Sequence, residues 1–131
     1  MFGNLNLQQY IFGNIKMPQF DLQKHGLRSL NEVLQDQKKE TNGISWEVIN
    51  PKGSHAIAVG IDAPIEVIIT GSTGYYCGGM NQRANITVKG SVGPGVAENM
   101  MSGKVVVKGD ASQSAGATGH GGLLVIEGNA S

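Results

Sequence analysis

Residues 65–71 read IEVIITG, residues 84–90 ANITVKG, residues 103–109 GKVVVKG and residues 122–128 GLLVIEG. The closing glycines, Gly71, Gly90, Gly109 and Gly128, follow one another at intervals of 19 residues. A fixed period near 20 marks a chain that winds, each repeat stacking on the one before it. Within the repeats, Val67, Ile86, Val105 and Leu124 occupy one column, and Ile69, Val88, Val107 and Ile126 another two residues on. Successive strand residues face opposite sides, so these two columns face one side together. Thr70, Lys89, Lys108 and Glu127 read as solvent-facing. The column between the apolar ones, Ile68, Thr87, Val106 and Val125, is more apolar than free exposure requires. A cover for it could come from the N-terminal segment or from another chain.

Small polar residues follow each repeat glycine: Ser72, Ser91, Asp110 and Asn129. Such residues suit turns and are expected to hydrogen-bond locally. Cys77, Val96 and Ala115 share a further column, as do Gly74, Gly93 and Ser112. A 19-residue coil has room for about three short strands joined by turns. The expected fold is therefore all-β, a parallel β-helix. Fully burying a Val or Ile side chain stabilises by roughly 1.5–3 kcal/mol, whereas fixing one backbone residue costs roughly 1–2 kcal/mol. Two inward residues cannot offset the ordering of a whole coil. A single coil should not fold, and a stack can.

The rest of the composition narrows function. Lys plus Arg equals Asp plus Glu, 10 against 10, which argues against nucleic-acid and polybasic membrane partners because phosphate binding needs a basic surplus. Glycine, 20 of 131 residues, is about twice its usual ~7% share. One cysteine, Cys77, excludes an internal disulfide. The N-terminus lacks the basic lead and apolar core of a signal peptide, and no apolar run reaches the ~18 residues of a membrane span. A cytoplasmic protein is expected.

Two segments divide the chain: 1–43, an N-terminal arm and capping helix, and 44–131, the winding domain. Residues 1–26 are open between short edge strands and an arm lying on another surface. Residues 29–40 are expected to form a helix. Ser29 and Glu32 have capping-box spacing, and Leu27, Leu30, Val33 and Leu34 form an apolar stripe. Lys38 and Lys39 suit its C-terminus, and Thr41, Asn42 and Gly43 stop it. The helix is read as a cap on one open end of the winding, with docking to a partner as the alternative. From Ile44 the chain is β-like: Trp46, Val48 and Asn50 lead to a Pro51-Lys52-Gly53 turn, and a second β-like run, AIAVGI at 56–61, follows. The sequence stops three residues into its fourth repeat. An uncovered coil there would present unpaired backbone groups, so a partner or further coils are expected to cover it.

Chemistry-bearing residues are few. His25, His55 and His120 lack metal-ligand spacing, and Cys77 has no neighbour in sequence that would make it a thiolate nucleophile. The clusters GSVGPG at 90–95 and GATGHGG at 116–122 lack the following helix that a phosphate-binding fingerprint needs. No catalytic, cofactor-binding or metal-binding residue is assigned. The third coil is small in side-chain volume, with Ala111, Ala115 and Ala117 in place of Thr73, Cys77 and Gly79. Either it fits a narrow corner or it admits another backbone. In the latter case Ser112, Gln113, Ser114 and His120 form a contact surface, to which the adjacent aromatics Tyr75 and Tyr76 add candidate anchors.

The coils from 44 to 131 resemble the C-terminal GXGXG domain of the glutamate synthase large subunit. The segments HAIAVGIDAPIEV, GYYCGGMNQ, GVAENMMSG and ASQSAGATGHGGLLVIEGNAS are most similar to its stand-alone version, the β-helix subunit of N-methylglutamate synthase (methylamine–glutamate N-methyltransferase). The resemblance implies a right-handed parallel β-helix and a non-catalytic scaffold subunit in a hetero-oligomer. Its partners would be an amidotransferase-like subunit and an FMN-binding synthase subunit. FMN, and any iron–sulfur cluster, would sit in those partners, since one cysteine cannot hold a cluster. An amidotransferase of this type needs an N-terminal cysteine nucleophile, and this chain begins Met1-Phe2. Two rival readings keep the winding: a β-helix subunit of another redox complex such as formylmethanofuran dehydrogenase, and a hexapeptide-repeat acyltransferase using His120. The second needs a six-residue rhythm that the 19-residue period does not supply.

Overall fold

In the computed structural model, which describes residues 8–12, 15–37 and 44–130, each repeated apolar segment becomes one strand. These are β4 (Glu66–Thr70), β5 (Asn85–Lys89), β6 (Lys104–Val107) and β7 (Leu123–Ile126). They are preceded by β1 (Gln8–Phe12), β2 (Ile15–Asp21) and β3 (Ser45–Ile49). The seven strands form one sheet in sequence order. β1 and β2 pair antiparallel, and every pairing from β2 to β7 is parallel. Val67 lies opposite Ile86, Ile86 opposite Val105 and Val105 opposite Leu124. The fold is a parallel β-helix of about four turns, roughly 19 residues each.

The strand faces divide as the columns require. Val67, Ile69, Ile86, Val88, Val105 and Val107 are at most 1% exposed and fill the interior. Thr70, Lys89, Lys108 and Glu127 face solvent. The intervening Ile68, Thr87, Val106 and Val125 are half-buried on the outer face.

Each coil has one regular strand, not three. Isolated bridges join Asp62 to Gln82, Val92 to Ala111 and Ala111 to Ala130. The rest of each coil turns on three columns of positive φ set two residues apart. One contains Ala56, Tyr76, Gly95 and Ser114, the next Ala58, Gly78, Ala97 and Gly116, and the third Gly60, Met80, Asn99 and Thr118. The AIAVGI segment is therefore a corner rather than a second β run, with φ of 55° at Ala56 and 59° at Ala58. A left-handed conformation costs a non-glycine residue roughly 1–2 kcal/mol. Coil-to-coil hydrogen bonds hold these residues in place. The N–H of Tyr76 donates to Pro94 O at 2.8 Å, that of Ala97 to Cys77 O at 2.8 Å and that of Asn99 to Ala117 O at 2.9 Å.

The turn residues after the glycines also bond between coils rather than locally. Ser72 Oγ accepts the Ser91 N–H at 3.1 Å, Ser91 Oγ accepts the Asp110 N–H at 3.0 Å and Asp110 Oδ1 accepts the Asn129 N–H at 2.8 Å. The side-chain ladder runs beside a column of stacked glycines. A Cβ at Gly90 would lie 2.5 Å from Gly71 O, and one at Gly109 would lie 2.7 Å from the Gly90 carbonyl. The period glycines are thus required by the close approach of one coil to the next.

The N-terminal segment closes one end. β1 and β2 form a hairpin whose second strand extends the sheet at β3, which settles the edge-strand alternative for these residues. After it come α1 (Leu22–His25), capped by Asp21 Oδ1 accepting the Gln23 N–H at 3.0 Å, and α2 (Leu27–Gln35). The helix begins earlier than the Ser29–Glu32 spacing suggests: Gly26 is its N-cap, without a side-chain cap, and Ser29 lies inside. Glu32 instead pairs with Arg28 at 3.4 Å on the surface. The expected end at Lys38–Gly43 lies outside the described residues. The apolar stripe does what its spacing implies, with Leu30, Val33 and Leu34 buried and Leu27 packed against them. Asn31 Nδ2 donates to Ala56 O at 2.8 Å and Asn31 Oδ1 accepts the Val59 N–H at 3.3 Å. Gln35 Nε2 donates to Val59 O at 2.7 Å. The helix thereby satisfies backbone groups at the rim of the first coil, as a cap should.

Candidate interaction groove

The first positive-φ column turns Tyr76, Gly95 and Ser114 outward onto the same corner of successive coils. With Tyr75, Pro94 and Glu98 they line an open groove of about 350 Å³. Tyr75 is 53% exposed yet fixed. Its ring stacks on His55 with centroids 3.8 Å apart and planes at 22°, and its N–H donates to His55 Nδ1 at 2.9 Å. Gly95, at φ 76°, keeps the floor bare. A Cβ there would lie 2.9 Å from Glu98 Oε2 and 3.8 Å from Tyr76 Cδ1. The Tyr76 ring and the Glu98 carboxylate therefore border one point on the floor. Glu98 is half-buried, and its carboxylate has no hydrogen bond or ion pair among the described residues.

Of the contact residues expected from sequence, Tyr75, Tyr76 and Ser114 converge on this groove. Gln113 is exposed beside it, and its carbonyl accepts the Gly95 N–H at 3.1 Å. Ser112 is half-buried outside the lining. His120 lies past the corner, exposed, its N–H donating to Met100 O at 2.8 Å. Pro94 and Glu98 were missed. The 19-residue alignment places Gly95 between Tyr76 and Ser114 and so carried the signal for their neighbourhood.

The other chemistry-bearing groups are built into the scaffold. Cys77 is fully buried, and burial pushes its thiol up to about 12 despite a hydrogen bond with Thr73. His25 packs edge-on against Phe20 with centroids 5.1 Å apart. Asn81 is buried at the corner, its Nδ2 donating to Ala84 O at 2.9 Å. Among the described residues no three His, Cys, Asp or Glu side chains are grouped to hold a metal, and no helix is long and apolar enough to cross a membrane.

Comparison with known proteins gives one informative relative. Protein GlxC of Rhizobium meliloti (strain 1021) is 62% identical over 87 residues, which cover 66% of this chain and 38% of that protein. The chain spans well under half the length of GlxC. No family model and no solved structure matches it.

Proposed function

We propose that this β-helix is a non-catalytic scaffold of a glutamate-synthase-type complex of the N-methylglutamate synthase kind. In that role it holds amidotransferase-like and FMN-binding subunits in register within a hetero-oligomer. The resemblance of the coils to the GXGXG domain carries the reading, the 62% identity to GlxC supports its glutamate-synthase-related part, and the geometry is consistent with it. The rigid parts of the chain are packed apolar columns and backbone ladders, and its thiol is buried and protonated at neutral pH. FMN and any iron–sulfur cluster belong to the partner chains in this reading, because a single buried cysteine cannot ligate a cluster.

The test is purification from the native source, with identification of co-purifying chains and a visible spectrum. The scaffold reading expects flavin absorbance in the complex, and a colourless, inactive protein when this chain is expressed alone. Turnover of glutamine or an amine by the purified single chain would refute it.

A further inference from the structure

We infer that the groove between Tyr75, Tyr76 and Glu98 is a docking point for an arginine side chain of a partner polypeptide. The inference rests on the reading of the chain as an assembling module and adds the chemistry of the contact. Glu98 is a half-buried carboxylate with no cation beside it among the described residues. The basic groups that have found partners lie elsewhere: Arg83 bonds Asp62 at 2.8 Å and Lys108 bonds Glu127 at 2.9 Å. A carboxylate next to aromatic rings attracts a cation twice over, through the charge and through the ring quadrupole.

The shape of the groove selects among cations. It is open to solvent, so a compact, strongly hydrated ammonium would keep much of its water there. A guanidinium is planar and weakly hydrated, stacks on an aromatic face and meets a carboxylate with two parallel N–H donors. The walls are already held: Tyr75 by its stack on His55, and Tyr76 by the packing of its ring over Gly79, where an added Cβ would lie 2.6 Å from Cε2. Little ordering remains to be done on binding, which favours a surface anchor. Gly95 carries no side chain, and the Tyr76 ring and the Glu98 carboxylate border the same point above it, so one guanidinium entering from the open side of the groove can reach both.

The experiment uses the full chain and the peptide acetyl-Gly-Arg-Gly-amide, titrated by NMR. The expected result is millimolar binding, with shifts concentrated at Tyr75, Tyr76, Gly95 and Glu98. Replacing arginine by citrulline, its neutral isostere, should weaken binding at least tenfold, and Glu98→Gln should do the same to the arginine peptide. Glu98→Gln keeps the side-chain volume and removes no hydrogen bond, and unchanged shifts away from the groove will verify its fold. Equal binding of the arginine and citrulline peptides, or shifts away from this corner, would overturn the inference. So would free methylguanidinium binding tenfold more tightly than the peptide, which would make the groove a small-molecule site. Peptide binding without co-purifying chains would sink the scaffold reading and leave the cation site standing. Co-purifying chains without peptide binding would do the reverse.

Discussion

Gly109 and Cys77 show how far single residues are dictated by the stack. An alanine methyl at Gly109 would press on the Gly90 carbonyl and Ser91 Oγ, the latter at 2.6 Å. Neither can withdraw without opening the ladder. Gly109→Ala should therefore lower stability by about 2–4 kcal/mol, measured by urea denaturation. Cys77 makes a pH prediction. Burial pushes its thiol up to about 12 in the folded chain, from 9.0 for an unburied thiol. Between those values the unfolded chain loses a proton that the folded chain keeps. Stability should be full below pH 9 and be lost progressively as pH rises toward 12. Cys77→Ala should remove this alkaline slope in denaturation curves. The native thiol should also resist a disulfide reagent at pH 8 until denaturant is added.

At the scale of elements, the capping helix is held by polar as well as apolar contacts. Asn31→Ala would strand Ala56 O and the Val59 N–H at the rim of the first coil. A loss of about 1–3 kcal/mol is expected, with the drop in melting temperature as the readout. The strands and the apolar stripe of this helix were legible in the sequence because alternation and helical spacing are set by side chains that must be buried. The corners were not. Besides glycines and Asn99, their left-handed positions are occupied by Tyr76, Met80, Ala97, Ser114 and Thr118, residues that do not advertise such a backbone. What selects it is hydrogen bonding to the next coil, a contact about 19 residues away in sequence. The Ser29–Glu32 pattern misled for a related reason. The chain enters the helix from α1 through Gly26, and packing of Leu27 against the core sets the start.

For the molecule as a whole, stability rests on neighbours. Cap and coils share one hydrophobic cluster, from Phe20 and Leu34 through Val48 and Val67 to Val107. The packing thins along the stack: Leu124 and Ile126 are only partly buried, and Leu123 is 52% exposed. Hydrogen exchange should follow this gradient. The amides of β4 and β5 should be the slowest, and those of β7 should exchange at least tenfold faster through local opening. Uniform protection along all strands would contradict it. Of the candidate surface, the sequence revealed the two tyrosines and Ser114 because exposed aromatics and a depleted coil stand out. Glu98 stayed hidden because its significance is the absence of a partner among the described residues, which only three dimensions reveal.

The ladder from Ser72 through Ser91 and Asp110 to Asn129 has one more consequence. Because each rung's side-chain oxygen grips the backbone N–H of the residue one period on, the prism changes length only in whole steps, each close to the ~4.8 Å separation of paired strands. Excising one complete period would bring its two end faces nearer by that single step and leave its sides aligned. Excising any other number of residues would rotate one end against the other, so the repeat works as a ruler graduated in single turns.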